Sequence, residues 1–301
     1  MKKYQIAIVL ACQIQCLFSQ NYVDIARLHF NTSTLNKFSG SPTKTRVTEM
    51  GLDVTFPMAL KNKDALLTGL AYERIDVRLA DNEAYQSISS IAFRIGLNKK
   101  HNESWSGTYL LIPKLASDFE KWSGKNFQFG ALALLKFTKH DQFNYKVGLY
   151  INSEQFGPFT VPLLGFYYLS PSKNFEANVV LPQHADLNYK LHKVLTVGFN
   201  FTSQIRSYRL SQVSVTTQPG YVVKSTNELC GYLKFNLTKN LSFQTRVGYS
   251  IGRNYRVFDE KDKIDWAIMF VKLGDDRTQL NTRFADGLIG QGVVLWRFIR
   301  E

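Results

Sequence analysis

The sequence predicts an all-β protein: a transmembrane, antiparallel, up-and-down β-barrel of about fourteen strands, within a range of twelve to sixteen, behind an N-terminal signal peptide. Three observations predict it. Segments in which apolar and polar residues alternate with the strand period of two recur along the whole chain. Aromatic residues are frequent, with 22 Phe and 15 Tyr. The connections between segments alternate between short and long, as they do in outer-membrane barrels.

Residues 1–19 have the composition of a secretory signal. Two lysines open the chain, an apolar core reaches to about Phe18, and Ser19 offers a small residue near which we expect cleavage. We therefore predict a signal peptide at residues 1–19 and a single barrel domain at residues 20–301. After the signal no run approaches the ~18 apolar residues of a membrane helix. An exported chain of this kind is expected to enter a membrane as strands.

Cysteine content and charge restrict the classes of function. Cys12 and Cys16 lie inside the predicted signal, so Cys230 is the only mature cysteine and a disulfide framework is excluded. The formal charge of +13 falls to +11 when the two lysines of the signal are removed (13 − 2). No basic helix interleaved with aromatics indicates nucleic acid as a partner. The positive charge favours anionic lipid head groups or an anionic solute, and scattered solubilising charge is the alternative.

The clearest strand pair covers residues 127–151. Phe127 to Phe137 and Phe143 to Ile151 each place an unbroken apolar set on one face, separated by a polar tetrad at residues 139–142. Two alternating runs across a short polar turn predict an antiparallel hairpin. In a membrane barrel the aromatic face contacts lipid and the opposite face contacts the lumen. In a soluble secreted β-sandwich, the alternative fold, the apolar face would pack against a second sheet.

The other strands follow from the same alternation. In chain order they are predicted at residues 22–31, 49–56, 66–79, 91–97, 105–111, 161–169, 175–181, 186–191, 195–201, 229–237, 241–251 and 288–298. Pro57 is expected to end the second of these, because proline removes a donor from the hydrogen-bond ladder. A phase shift within the third predicts a β-bulge.

The connections set the strand number. Short turns are predicted at residues 98–103, 139–142, 192–193 and 238–240, and long loops at 32–44, 113–125 and 207–224. Since bacterial single-chain barrels have an even number of strands, we assign residues 254–286 to one long external excursion. The apolar segment KIDWAIMFVKL (residues 263–273) within it is then predicted not to span the membrane.

Four segments carry a resemblance to a known family. They are PKLASDF (Pro113–Phe119), NSEQFGPFTVPLLGFYYLSP (Asn152–Pro171), LPQHADLNYKL (Leu181–Leu191) and RSYRL (Arg206–Leu210). The chain resembles an uncharacterised outer-membrane β-barrel family of Gram-negative bacteria that is named only as a domain of unknown function. The resemblance covers most of the mature chain and implies a barrel in the outer membrane. It implies no activity, because none is established for the family.

The face opposite the aromatic one carries the candidate functional residues. Ten charged residues are predicted to line the lumen: Arg27, Glu49, Asp53, Arg94, Lys136, Lys146, Glu176, Asp186, Lys190 and Arg246. Mixed charges on one face are costly in lipid but natural in a wet interior. Four apolar residues share this face on the same phasing: Leu132, Leu134, Leu164 and Phe166. They predict a packed interior, a loop folded into the lumen, or an apolar passage.

We therefore predict a channel or transport barrel for a small solute, with no cofactor, metal or catalytic residue. The alternatives are a structural or adhesion barrel that acts through long external loops, and a membrane-embedded lipid hydrolase using His29, His184 and Ser250. Ser250 lies in a Gly-Tyr-Ser-Ile-Gly match to the nucleophile elbow, but inside an alternating strand instead of the strand-to-helix turn that this chemistry needs. Expected partners are outer-membrane lipid and lipopolysaccharide, the barrel-assembly machinery, and an anionic or hydrophobic small solute.

Overall fold

The computed structural model describes residues 22–214 and 216–299, so the predicted signal at residues 1–19 lies outside the described residues. Fourteen antiparallel strands close into a barrel, with each strand next to its sequence neighbours and the last paired with the first. This confirms the predicted fold class and strand number. None of the helices in the described part of the chain is long and apolar enough to cross a membrane.

In chain order the strands of the barrel are β1 (Tyr22–Ser33), β2 (Thr48–Ala59), β3 (Ala65–Val77), β4 (Gln86–Lys100), β5 (Trp105–Ser117), β6 (Phe127–His140), β7 (Phe143–Glu154), β8 (Gly157–Leu169), β9 (Phe175–Leu181), β10 (His184–Lys190), β11 (Leu195–Leu210), β12 (Gly220–Asn236), β13 (Leu241–Asp259) and β14 (Gly287–Ile299). Short hairpins lie in two of the connections: Asn36–Lys37 with Lys44–Thr45, and Trp266–Ile268 with Val271–Leu273.

The outer face of the barrel carries an apolar belt. On β7, the alternate residues Tyr145, Val147, Leu149 and Ile151 are 45 to 51% exposed, and similar side chains stand outward on the neighbouring strands. No second layer covers them in the described part of the chain, which excludes the β-sandwich packing. A continuous exposed belt of this kind is the lipid-facing surface of a membrane barrel.

The two ends of the barrel differ in their connections. The terminal end, where β1 begins and β14 ends, has turns at residues 60–64, 101–104, 141–142, 170–174, 191–194 and 237–240. The opposite end, termed the loop end, has connections at residues 34–47, 78–85, 118–126, 155–156, 182–183, 211–219 and 260–286. The predicted long connections are all at the loop end, but two connections there are turns of two residues.

Two local predictions are wrong. β2 continues through Pro57, because the pairs between β1 and β2 end at Ala26 and Val54 and the missing donor of Pro57 interrupts no ladder on that side. β3 has no bulge, since it pairs with both neighbours in an unbroken register. The apolar and polar residues of β3 change their order for another reason. Ile75 and Val77 face inward and are fully buried, because a sheet that is folded into the barrel packs against them.

That sheet is formed by β11, β12 and β13, which leave the wall at the loop end and cross the lumen. β10 pairs with β11 only as far as Thr202, and β14 pairs with β13 only as far as Ser250. Beyond these points the three strands remain paired with one another, over residues 203–210, 220–227 and 254–259. This extension is termed the plug sheet. The predicted loop at residues 207–224 is therefore wrong: half of it, residues 207–210 and 220–224, is strand inside the barrel.

Contacts with distant wall strands establish that the plug sheet lies in the interior. Arg209 of β11 forms a β-bridge with Ser117 of β5, six strands away around the barrel. Lys224 of β12 donates a hydrogen bond to Glu49 of β2 at 2.6 Å. The N–H of Ser207 donates to the carboxylate of Glu154 at 2.7 Å. Such contacts require the sheet to run across the lumen.

The sheet bends away from the wall at a bulge in β13. Gly252 has φ +64°, and the register with β12 shifts at this point, between the pairs formed by Ser225 and Asn227. A glycine in the left-handed region is what a bulge that turns a strand requires. The carboxylate of Asp286 accepts hydrogen bonds from the N–H groups of Gly252 (2.8 Å) and Arg253 (2.7 Å). These bonds fix the place where β13 departs from β14.

Both faces of the plug sheet are packed against the wall. Tyr208 and Val222, both fully buried, join an apolar cluster with the inward side chains of β3, β4 and β5. Tyr221 and Phe258 point the other way and join a second cluster with the inward side chains of β8, among them Leu163. The loop half of the lumen is therefore filled.

Candidate functional site

The lumen is the candidate functional site, and the ten predicted lining residues fall on strand faces opposite the belt. Asp53 and Arg94 form an ion pair at 2.5 Å, although β3 lies between their strands. Gly69 of β3 makes this possible, because a Cβ there would lie 3.0 Å from Nε of Arg94. Glu49 contacts the plug sheet through Lys224.

The terminal half of the lumen forms a polar chamber, termed the vestibule. It contains seven of the predicted residues: Arg27, Lys136, Lys146, Glu176, Asp186, Lys190 and Arg246. Arg27 and Lys190 are exposed to solvent. Five cations against two carboxylates leave these seven side chains with a charge of +3. The vestibule is therefore polar and, over these seven side chains, cationic.

Hydrogen bonds hold three of the other vestibule side chains in place. Lys146 donates to the Asn178 side chain at 2.8 Å, and the hydroxyl of Tyr232 donates to Asp186 at 2.9 Å. Arg246 donates to Asn200 at 3.0 Å. Residues from several different strands thus line one continuous polar surface.

Two of the four predicted inward apolar residues do face the lumen. Leu132 and Leu134 pack against the second apolar cluster of the plug sheet, so the alternative of a segment folded into the lumen is the one that the structure adopts. Leu164 and Phe166 were misplaced by the prediction. They are 66% and 37% exposed on the outer face, because β8 is apolar on both faces and its alternation gives no phase.

A buried ionic cluster joins the plug sheet to the wall, and sequence reasoning missed most of it. Lys224 donates to Glu49 at 2.6 Å and to Glu73 at 2.8 Å. Glu73 also accepts hydrogen bonds from Arg206 and from the hydroxyl of Tyr208. Lys224 is only 1% exposed. The segment around it was predicted as a loop, although a lysine between alternating apolar residues could have indicated a strand with a buried charge.

A second polar contact lies on the other side of the lumen. Glu154 of β7 accepts hydrogen bonds from both the N–H and the hydroxyl of Ser207, and it forms an ion pair with Lys114 of β5 at 3.2 Å. Glu154 is 6% exposed. The plug sheet is therefore held by polar contacts to β2, β3 and β7.

The wall itself is incomplete between β8 and β11. β9 and β10 have seven residues each, and the pairs between β8 and β9 begin only at Leu164. The first half of β8 thus has an open edge, which a hairpin formed by residues 266–273 covers. Phe159 and Thr160 of β8 pair in parallel with its first strand. KIDWAIMFVKL therefore forms a hairpin and does not span, as predicted.

The hairpin extends the apolar belt across this gap. Trp266 and Ile268 stand outward, 46% and 44% exposed, and Phe270 at its turn is 80% exposed. The indole N–H of Trp266 donates to the hydroxyl of Thr160 at 3.0 Å. Thr160 pairs on its other side with Ile151, which belongs to the belt. The hairpin thus replaces the missing wall in the part of the belt that is nearer the loop end.

Ion pairs fasten the connection at residues 260–286. Glu260 accepts hydrogen bonds from Lys125 at 2.8 Å and from Arg209 at 3.1 Å. Burial raises the pKa of Glu260, but these two hydrogen bonds outweigh it and lower the pKa below its ordinary value. The hydrogen bond from Arg277 is the main reason that the pKa of Asp275 is also lowered.

The hydrolase candidates do not form a catalytic group. Ser250 is fully buried, and its hydroxyl has no hydrogen-bond partner among the described residues. Nε2 of His29 lies 3.6 Å from the Glu49 carboxylate, and His184 lies on the lumen face of β10. The described residues also contain no group of three or more His, Cys, Asp or Glu side chains that could hold a metal.

Comparison with known proteins gives a family and distant structural likeness. A family model described as "Domain of unknown function (DUF6268)" matches residues 11–288. No curated protein matches the chain. The structure is similar to the NanC porin (9% identity, 89% of this chain and 98% of that one, TM-score 0.33). It is also similar to a mutant of the TodX monoaromatic hydrocarbon channel (9% identity, 91% of this chain and 90% of that one, TM-score 0.36). A third similar structure is a bacterial polysaccharide outer membrane secretin (10% identity, 91% of this chain and 99% of that one, TM-score 0.36). Likeness at this level carries no argument about function.

Proposed function

The chain belongs to the DUF6268 family, and we propose that it is an outer-membrane barrel that transports a small anionic solute through a lumen gated by the plug sheet. The vestibule carries this proposal. A barrel that only anchors loops needs no excess of cations in its lumen, whereas five cations against two carboxylates would concentrate an anion next to the plug sheet.

The apolar belt supports placement in the outer membrane. It surrounds the barrel and continues across the hairpin at residues 266–273, so lipid is the partner that its surface requires. Lipopolysaccharide at the loop end and the barrel-assembly machinery remain expected partners. The loop end offers less to an adhesin than the sequence suggested, because the connections at 155–156 and 182–183 are tight turns and 260–286 lies against the barrel.

The manner in which the plug sheet is held favours a gate over a permanent seal. In a buried ion pair the cost of desolvation offsets much of the attraction, so a cluster such as Lys224, Glu49 and Glu73 adds little net stability over apolar residues of similar size. A permanent seal would gain from apolar side chains at these positions. We propose that the ionic contacts make release of the plug sheet energetically accessible.

Conductance after removal of most of the β11 and β12 parts of the plug sheet tests the proposal. One variant replaces residues 207–223 by Asn-Gly, joining Arg206 to Lys224, which already face each other in the ladder. The matched control replaces only residues 211–219, beyond the last pair, and keeps the plug sheet. Both are first checked for barrel folding by the heat-dependent gel shift of the membrane fraction.

We expect anion-selective current in planar bilayers to rise strongly for the first variant and to stay near the wild-type level for the control. A folded first variant that passes no ions, although most of the β11 and β12 parts of the plug sheet are gone, would refute a lumen gated by these strands. Cation-selective current would refute the choice of solute class.

A further inference from the structure

A second candidate site lies outside the vestibule, at the incomplete part of the wall. A partly open cavity of about 150 Å³ is bounded by β8, the hairpin at residues 266–273 and one face of the plug sheet. Eight of its thirteen lining residues are apolar, including Phe159, Val223 and Met269. An apolar cavity of this size can hold about one six-carbon group.

The polar part of the lining is entirely basic or neutral. Arg256, Lys272 and Arg277 line the cavity, and no carboxylate among the described residues does. Asp275, outside the lining, binds both Arg277 (2.7 Å) and Lys272 (3.2 Å). Three cations and one neighbouring carboxylate leave a charge of +2 around an apolar space.

Arg256 differs from the other two cations in its contacts. Its Nε is buried and has no hydrogen-bond partner among the described residues. Arg277, by contrast, is held by Asp275 and lies over the rings of Phe258 and Phe156, at 4.4 and 5.6 Å. A buried guanidinium donor without an acceptor is unfavourable, and an anion bound in the cavity would supply the acceptor.

We propose that this cavity binds a small amphipathic carboxylate, with its apolar body between β8 and the hairpin and its carboxylate on Arg256. The cavity volume limits the body to about six carbons. The site is independent of the transport proposal, because none of the seven vestibule residues lines it and its occupancy is measured without flux.

Calorimetric titration with hexanoate tests the site, using the full-length barrel in nanodiscs of zwitterionic lipid and empty nanodiscs as the blank. Hexanol, with the same tail and no charge, and acetate, with the charge and no tail, are the matched ligands. We expect hexanoate to bind at least ten times more tightly than either. The proposal would be overturned if hexanoate bound no more tightly than hexanol or than acetate. It would also be overturned if hexanoate did not bind.

Three variants locate the binding, each checked for folding by the gel shift. R256Q is expected to weaken hexanoate about ten- to a hundredfold, the loss of one charge-assisted hydrogen bond. A267F, which fills the cavity from the hairpin side, should weaken hexanoate and hexanol alike. R283Q removes the same charge from a residue outside the lining whose charge acts on Arg256 only at a distance, so it should weaken hexanoate far less than R256Q. Equal effects of R256Q and R283Q would overturn the assignment to this cavity.

A competition experiment separates a soluble carboxylate from a lipid chain. Hexadecanoate has the same head group but a tail too long for the cavity, so we expect it to displace hexanoate poorly. Displacement as efficient as that by hexanoate itself would mean that the tail extends into the membrane, and the size limit would be wrong.

Discussion

Substitution of Lys224 by methionine is the sharpest test of how the plug sheet is held. Lys224 is buried and bonded to both Glu49 and Glu73. Methionine keeps most of its volume and removes its charge. The two carboxylates then face each other without their shared cation, and only Glu73 keeps a strong cationic partner, Arg206.

The magnitude follows from the cost of an unpaired buried charge. Removing one partner of a buried pair costs about 3–5 kcal/mol. If that cost falls on the closed state alone, the closed-to-open equilibrium shifts by roughly a hundred- to a few thousandfold, at 1.4 kcal/mol for each factor of ten. Single-channel recording should then show a much higher open probability for K224M than for the wild type.

Two comparison variants distinguish charge from packing. The double variant E49Q/K224M leaves no unpaired carboxylate, because Glu73 retains Arg206 and Tyr208, and most of the closed state should be recovered. K190M removes an exposed lumen lysine and should change stability by less than about 0.5 kcal/mol. If K224M keeps wild-type open probability and urea stability, the ionic cluster does not hold the plug sheet and the reasoning fails.

Three further predictions concern the belt, the bend and the outer connection. L149R places a charge on the lipid face and should lower stability in liposomes by about 2–4 kcal/mol in urea unfolding; no loss would contradict a lipid contact. G252A forces a left-handed alanine at the bulge and should cost about 1 kcal/mol or more, while G231A, at an outward glycine with free space, should cost less. Since the pKa of Glu260 is lowered in the folded state, its contribution is present above the ordinary pKa and is lost as the pH falls through the folded value, below about pH 4. Pepsin cleavage within residues 260–286 should therefore rise in that range for the wild type, and E260Q should show no such step.

The fold was accessible from the sequence because lipid imposes a simple pattern. A strand that faces lipid on one side and water on the other must alternate, and β7 does so over its whole length. The strand number followed from the rule that bacterial single-chain barrels have an even number of strands, once residues 254–286 were assigned to an external connection. The pattern fails where both faces of a strand are apolar. β8 is such a strand, which is why Leu164 and Phe166 were assigned to the wrong face.

The candidate site was accessible only in part, because its contacts are between distant segments. The charged side chains of the vestibule were identified from alternation alone. The ionic cluster was not, since Glu73 and Lys224 are 151 positions apart in sequence and meet only because β12 crosses the lumen. Alternation assigns a residue to a face of its own strand, but it does not say which strand lies opposite.

Strand length is the signal that could have revealed the plug sheet. A membrane-spanning β-strand needs about 9–11 residues, whereas β11, β12 and β13 have 16, 17 and 19. Their excess could extend outward only if one face were polar. In β12 the excess segment instead reads Tyr221, Val222, Val223 and Lys224, with apolar side chains on both faces, and water outside the membrane would leave all of them exposed. Folding into the lumen buries both faces at once, and it places the lysine where wall carboxylates can pair with it. A strand longer than the bilayer and apolar on both sides therefore predicts a segment that turns into its own barrel.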